Sequence, residues 1–272
     1  MVDSKILVLI PHFNNPKGLA TAINSIQEDF KITVLVVDDG SKEDKIAETL
    51  LKNEASSNVD IVIECLANNK GIEHALNYGL EYFLQNEFKF LARLDCGDVC
   101  LPQRFFRQQK FLYDHPSIDL VGSNVSFFRQ NGDTLFTLKL PSTDKEIRNK
   151  MYINAMIIHP TFFMRREVVE NIKQYPTQYE AAEDYAFLFL VLKKHKVANL
   201  TEILVKCELS PIGISALKRK KQLKNRVTLI KKHFHWGIYP IYGLMRNYII
   251  LWTPEPLFEW VKMKIKNKKI KD

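Results

Sequence analysis

Ile32-Thr33-Val34-Leu35-Val36-Val37-Asp38-Asp39-Gly40-Ser41 is an apolar run that stops abruptly at two acids, a glycine and a serine. The part from Thr33 to Val37 is unbroken, as a strand buried on both faces should be. Three other segments repeat the design. Lys5–Ile10 leads into Pro11-His12-Phe13-Asn14-Asn15, Val59–Cys65 precedes Asn68-Asn69-Lys70-Gly71, and Phe88–Leu94 leads into Asp95-Cys96-Gly97-Asp98. Between these strands Lys17–Asp29, Glu43–Asn53 and Ile72–Gln85 carry apolar residues at helical spacing, with Ile72, Leu76, Leu80 and Phe83 in one stripe. Strands alternating with helices of this length predict an α/β fold with a mainly parallel sheet flanked by helices. Ligands of such sheets sit at the carboxyl ends of the strands, so all four polar clusters should meet on one edge.

The chain after Cys100 has another rhythm. Asp119–Phe128 and Thr134–Leu140 read as strands joined by the turn Gln130-Asn131-Gly132-Asp133. Thr161–Met164 is a further strand, Glu183–Lys194 a helix with a wide apolar face, and Val197–Leu200 with Ile203–Leu209 a short strand pair. Ser215–Phe234 reads as a basic helix capped by Ser215.

At 272 residues and 46% hydrophobic content the chain can build a sizeable core. Its formal charge of +8 is concentrated in the tail: residues 214–272 hold 15 Lys+Arg against 3 Asp+Glu, and the remainder holds 24 against 28. An acidic body argues against a nucleic-acid partner. Cys65, Cys96, Cys100 and Cys207 form no CxxC pair, so they read as reduced, packing thiols. The apolar run Ile6–Ile10 is too short for a signal-peptide core, and the expectation is a cytoplasmic protein.

Asp95 and Asp98 carry the central chemical expectation. Two carboxylates at the end of a buried strand repel each other unless a cation lies between them, and Mg²⁺ or Mn²⁺ takes oxygen ligands and shares them with phosphates. The alternative is a capped turn with Asp98 merely solvated. Asp38 and Asp39 either accept hydrogen bonds from a base or ribose or form an Asx turn. Arg93, in an otherwise apolar strand, must be paired if buried; it binds a phosphate or braces Asp95. Glu183 and Asp184 either cap a helix, favoured by its dipole, or supply a general base for an acceptor hydroxyl. His159 and His12 are each either packed or functional, and neither belongs to a set with metal-ligand spacing.

The ordered set of motifs resembles glycosyltransferase family 2 enzymes with the GT-A fold, of the bacterial surface-polysaccharide and lipooligosaccharide type. The elements are Ile10-Pro11-His12-Phe13-Asn14, Val37-Asp38-Asp39-Gly40-Ser41, Asn69-Lys70-Gly71-Ile72, Ala75-Leu76-Asn77-Tyr78-Gly79-Leu80 and Ala92-Arg93-Leu94-Asp95. Leu101-Pro102 with Arg104 and Gln109, Leu120-Val121-Gly122-Ser123, His159-Pro160-Thr161 and Glu183-Asp184-Tyr185 follow in order. The resemblance implies a Rossmann-like, mixed sheet in a catalytic domain over residues 1–213. Nucleotide-sugar binding would fall in about 1–100, the acceptor half in 101–213, and a basic helical extension in 214–272. Pro11, His12, Asn14, Asp38 and Asp39 would hold the nucleoside. Lys70, Gly71 and Arg93 would lie near the ribose and diphosphate. Asp95, with Asp98, would hold Mn²⁺ or Mg²⁺, Asp184 or else Glu183 would be the base, and His159 would lie toward the acceptor.

The implied reaction is inverting transfer of a hexose from a nucleotide sugar, by family habit UDP-linked, to a glycan or lipid-linked glycan hydroxyl. One departure stands out: Gly97 occupies the place of the second aspartate in the family's Asp-x-Asp motif. A catalytically degenerate nucleotide-sugar binding module is therefore one rival. A sugar-phosphate nucleotidyltransferase is another, although Pro11–Asn15 lacks that class's glycine-rich basic loop.

Trp236–Trp252 is aromatic and aliphatic but carries Arg246, and is short for a bilayer span, which needs about 20 apolar residues. With Trp260 and lysines 262, 264, 266, 268, 269 and 271 it reads either as contact with an anionic membrane surface or as a helical pair packed on the domain.

Overall fold

The apolar runs become strands because both of their faces are covered. In the computed structural model, which describes residues 5–42, 46, 56–130, 132–210 and 217–253, Ile6–Ile10 and Val34–Val37 expose essentially no surface. These runs lie in β1 (Ile6–His12) and β2 (Ile32–Asp38), which join β3 (Val59–Cys65) and β4 (Phe90–Arg93) in the parallel order β3-β2-β1-β4. Alternate residues serve different cores. Leu7, Leu9, Leu35 and Val37 pack with Ala75, Leu76, Leu80 and Phe83 of helix α2 (Ile72–Gln85). Ile6, Val8, Ile10, Val34 and Val36 face Leu19, Ala22 and Ile23 of α1 (Pro16–Asn24). Each buried leucine of this kind contributes about 2 kcal/mol through area removed from water. The contact of α2 with β1 is close enough to require glycine: a Cβ at Gly79 would sit 2.3 Å from Leu9 Cδ1. The expected helix Glu43–Asn53 lies outside the described residues.

The second half is interleaved. It comprises β5 (Val99–Cys100), α3 (Arg104–Asp114), β6 (Leu120–Phe128), β7 (Thr134–Leu138), α4 (Asp144–Lys150), a 3₁₀ turn at His159–Thr161, β8 (Phe163–Arg165), α5 (Arg166–Ile172), α6 (Glu183–Lys194) and β9 (Val197–Glu208). Helices α7 (Arg219–Lys232) and α8 (Ile238–Trp252) follow. Among the described residues the sheet runs β3-β2-β1-β4-β8-β6-β9-β5, with β7 also paired to β6. It is mixed: β8 is antiparallel to β4 and β6, while β9 is parallel to β6.

Two expectations change, and one helix was not expected. The anticipated strand pair at 197–209 is one continuous β9. Two extra residues bulge out where Ser123 pairs Leu200 but Asn124 pairs Ile203. The Asn124 amide fills that irregularity, donating to Thr201 O at 2.6 Å while its oxygen accepts Leu140 N–H at 2.8 Å. The strand foreseen at Thr161–Met164 begins two residues later, because Pro160 starts a 3₁₀ turn. Helix α4 went unforeseen, although Thr143 and Glu146 have capping-box spacing, and Thr143 does accept Glu146 N–H at 3.4 Å.

Candidate active site

The carboxyl ends of β1, β2 and β3 are level, with His12 paired to Asp38 and Asp38 to Cys65 in register. The polar loops beyond them are tied to each other. His12 Nδ1 lies 3.0 Å from Asp38 Oδ2, and its Nε2 accepts Asn15 N–H at 3.1 Å. Asp38 Oδ1 accepts Ser41 N–H, and Ser41 Oγ accepts Asn14 N–H at 2.8 Å. Asp39 uses one oxygen for Lys70 N–H at 2.9 Å and the other for Gly71 N–H at 2.8 Å. Gly40 has φ +74, and a Cβ there would meet the Asn68 backbone at 2.6 Å, so only glycine lets the second and third loops touch. Two groups remain uncommitted in this cradle. Asn14 Oδ1 is buried with no hydrogen-bond partner, and the neighbouring Phe13 ring is 47% exposed.

Below the end of β4 lies a buried cation. Arg93 is 0% exposed; it donates to Asp95 Oδ1 at 2.5 Å, to the Leu9 and Leu94 carbonyls, and through Nε toward His159 Nε2 at 3.3 Å. The Tyr175 hydroxyl lies 3.0 Å from the same His159 nitrogen. Burial, and then the Arg93 charge, hold the His159 imidazole well below its usual range, so it stays neutral. Asp95 itself keeps its side chain 33% exposed above this support. Asp98 is turned inward: its Oδ1 accepts Glu208 N–H at 2.9 Å, and burial followed by the Asp95 charge pushes its carboxyl well up.

The third component is the start of α6. Ala181 has φ +61, and α6 begins two residues later with Glu183 and Asp184. Burial, and then the Asp184 charge, push Glu183 up to about 8, and Glu183 Oε2 is buried without a hydrogen-bond partner. Burial also raises Asp184, opposed by the cation of Arg226 and by the Tyr185 N–H that Asp184 Oδ1 accepts at 2.6 Å. Asp95 raises both carboxyls, which brings the acids of α6 electrostatically within reach of the end of β4. Arg226 belongs to α7, where its guanidinium lies 5.6 Å over the Tyr185 ring. Helix α7 also grips the loop before α6: Gln222 donates to Ala181 O at 2.9 Å, Asn225 to Glu180 O at 2.8 Å, and Lys218 and Lys221 pair with Glu180.

A protein-family model described as Glycosyl transferase family 2 matches residues 7–173, more than half of the chain. The chain belongs to that family. The family 2 relatives include the amylovoran biosynthesis glycosyltransferase AmsE of Erwinia amylovora, 25% identical over 83% of this chain and 84% of its own length. The O-antigen biosynthesis glycosyltransferase WbnJ of Escherichia coli is 25% identical over 45% of this chain and 46% of its own. Residues 1–349 of S. aureus TarS superpose with a TM-score of 0.63 at 17% identity, over 91% of this chain and 72% of that one. Another S. aureus TarS structure is covered over 41% of its chain. The mannosyltransferase PcManGT from Pyrobaculum calidifontis, solved with GDP-Man and Mn²⁺, superposes with a TM-score of 0.62 at 15% identity, covering 91% and 69% of the two chains. The fold is GT-A, as the motif series implied, and the chain is a family 2 glycosyltransferase.

Within this family 2 fold the expected residues separate into two groups. Pro11, His12, Asn14, Asp38, Asp39, Lys70, Gly71 and Asp95 all lie on the strand-end edge, and Asp184 and Glu183 reach it from α6. Arg93 and His159 do not. Both are buried, and their polar atoms are spent on Asp95, on backbone and on Tyr175. In this structure Arg93 braces Asp95 and His159 is packed against Tyr175 and Arg93, with both side chains buried. Asp98 is likewise turned to the backbone of Glu208. Tyr175, Arg226 and Glu208 were missed by the sequence reading. Each reaches the site from a distant element, and no local spacing marks it.

Proposed function

We propose that the chain is an inverting, metal-dependent hexosyltransferase, moving a sugar from a UDP-linked donor to a glycan hydroxyl during surface polysaccharide or lipooligosaccharide assembly. The observation that supports this reading is the electrostatic proximity of the α6 carboxylates to Asp95, where a base and a diphosphate-side acid would be needed together. The catalytic body would be residues 1–213 and the extension 214–272. Asn14 Oδ1 suits a donor N–H of the base, and exposed Phe13 offers it a stacking face. Asp184 would take the proton of the acceptor hydroxyl as that oxygen attacks the anomeric carbon. Burial, and then the Asp184 charge, push Glu183 up to about 8, so Glu183 keeps its proton near pH 7 and the base role falls to Asp184. A single direct displacement inverts the anomeric centre.

The oxygen-only donor set at the end of β4 fits a hard divalent cation. Asp95 is partly open, and Glu208 Oε1 beside the same loop is buried without a partner. Such an ion, when bound, neutralises the charge of the departing diphosphate. The test is release of nucleoside diphosphate from a panel of nucleotide sugars with Mn²⁺, Mg²⁺ or EDTA. Release from a UDP-hexose that EDTA stops is expected; release unaffected by EDTA would remove the metal from the reading. No release and no calorimetric binding from any donor would remove the transferase activity itself.

A membrane-surface site for the reaction is supported by α8. Its buried side (Pro240, Gly243, Asn247) meets Tyr152, and Trp236, Ile238, Tyr242, Met245, Ile249 and Trp252 stand more than half exposed opposite it. No helix among the described residues is long and apolar enough to cross a membrane. The lysines beyond 253 lie outside the described residues. Sedimentation with phosphatidylglycerol vesicles, but not phosphatidylcholine vesicles, is the expected outcome; loss of binding in a Trp236→Ser/Trp252→Ser variant assigns it to this stripe.

A further inference from the structure

Gly97 stands where the family motif has its second aspartate, and a side chain from another strand fills the space. Gly97 has φ +93, and a Cβ built on it would lie 2.3 Å from Glu208 Oε2. The carboxylate at the end of β9 thus occupies the room that an aspartate at position 97 would need. Its other oxygen, Oε1, is buried and has no hydrogen-bond partner. A buried carboxylate oxygen left without a donor or a cation costs free energy, and native structures satisfy nearly all such atoms.

The placement is held from several sides. Asp98, 6% exposed, accepts Glu208 N–H at 2.9 Å from 110 residues away. β5 pairs with β9 just upstream, Val99 with Lys206 and Cys100 with Val205. Gly97 N–H donates to Gly18 O at 2.9 Å, which fixes the loop against the start of α1. No three His, Cys, Asp or Glu side chains among the described residues converge on one ion position.

We propose that Glu208 is the second protein ligand of the divalent cation, replacing the aspartate absent at position 97. Asp95 is the first ligand, and Asp98 is a positioning residue that pins the backbone of Glu208. This rests on the metal-dependent reading above. It explains how the motif tolerates Gly97: the carboxylate is not lost but supplied by β9.

The experiment is Mn²⁺ binding followed by electron paramagnetic resonance, with Mn²⁺ alone and with UDP or GDP added. Wild type, Asp95→Asn, Glu208→Gln and Glu167→Gln are compared, the last being a carboxylate on α5 outside the site. Thermal unfolding without metal accompanies each, so that a folding defect is recognised. The expectation is that Glu208→Gln folds with an undiminished melting temperature and binds Mn²⁺ about tenfold or more weakly, at least the loss seen when an outer-shell partner is removed. Glu167→Gln should match wild type. A Glu208→Gln variant with wild-type Mn²⁺ affinity, beside an Asp95→Asn variant that loses it, overturns the role of Glu208 and leaves the metal reading intact. A wild type that binds no Mn²⁺ with either nucleotide overturns both. If Glu208→Gln melts lower, both Glu208→Gln and Glu208→Asp are titrated at a temperature where they are folded: Mn²⁺ binding lost in Glu208→Gln but kept in Glu208→Asp supports ligation, and binding equal to wild type in both opposes it.

Discussion

The two halves of the sheet are built by different rules. In β3-β2-β1-β4 the strands are parallel, each strand end carries one polar loop, and the loops of β1, β2 and β3 are tied to their neighbours, as in Asp38 with His12 and Asp39 with Lys70 and Gly71. In β8-β6-β9-β5 the strands interleave, and polar side chains serve as buried brackets between distant segments. Asn199 donates to Pro141 O and Met156 O, Gln108 to Thr161 O, and Glu28 accepts Phe105 N–H at the start of α3. The first half offers loops at strand ends, while the second positions the α6 carboxylates and Arg226, which on the proposed reading are a base and its counter-charge. On this view donor binding belongs to the first half and turnover to the second, and the two should separate on mutation.

The largest effect should come from Asp184→Asn. Loss of a general base lowers turnover by about 10²–10⁴-fold, while donor affinity measured by calorimetry stays within about twofold, since uniform binding is not the base's role. An equal loss of donor binding would break the division between halves. Next is Arg93→Met, which removes the one cation holding Asp95, the Leu9 carbonyl and His159 together. Breaking a buried pair costs about 3–5 kcal/mol, and about 3 kcal/mol is expected here because Asp95 is 33% exposed and regains water. Urea unfolding measures it, and a change under about 0.5 kcal/mol, the size of an ordinary surface substitution, would deny Arg93 its bracing role.

Arg226→Gln sharpens the comparison further, since it reaches the site from the extension. Arg226 opposes the rise that burial imposes on Asp184, so its removal should move the acidic limb of kcat/KM to higher pH. An unmoved limb with unchanged stability would separate α7 from the chemistry. The last effect is read in stability alone. Glu183 is raised from 4.5 to about 8, so the folded state holds a proton there that the unfolded chain releases above about pH 4.5. That contribution is complete below pH 4.5 and is lost as pH rises through about 8. Glu183→Gln should therefore flatten the fall of melting temperature between pH 5 and 8; a parallel decline in both proteins would count against it.

The residue pattern made the first half legible because parallel strands record their burial locally. Val59–Cys65, Ile72–Gln85 and Glu183–Lys194 were bounded correctly from periodicity and turn residues alone. β5 and α5 were not foreseen: one is two residues long, and the other starts directly where β8 ends. At the site, Asp38, Asp39 and Asp95 could be found because each ends a strand that announces itself. Whether Arg93 met a phosphate or Asp95 could not be read, since both uses demand the same residue in the same strand.

The sequence by itself determined the parallel half, the edge where its polar loops gather and the acids that lie there, because hydrophobic periodicity and turn chemistry act over a few residues. Only the tertiary structure decided what those acids face. Burial turned Arg93, His159 and Asp98 inward, α7 carried Arg226 to Asp184, and β9 laid Glu208 over Gly97. Those outcomes depend on packing and on charges brought together from far apart in the chain, and no local spacing encodes them.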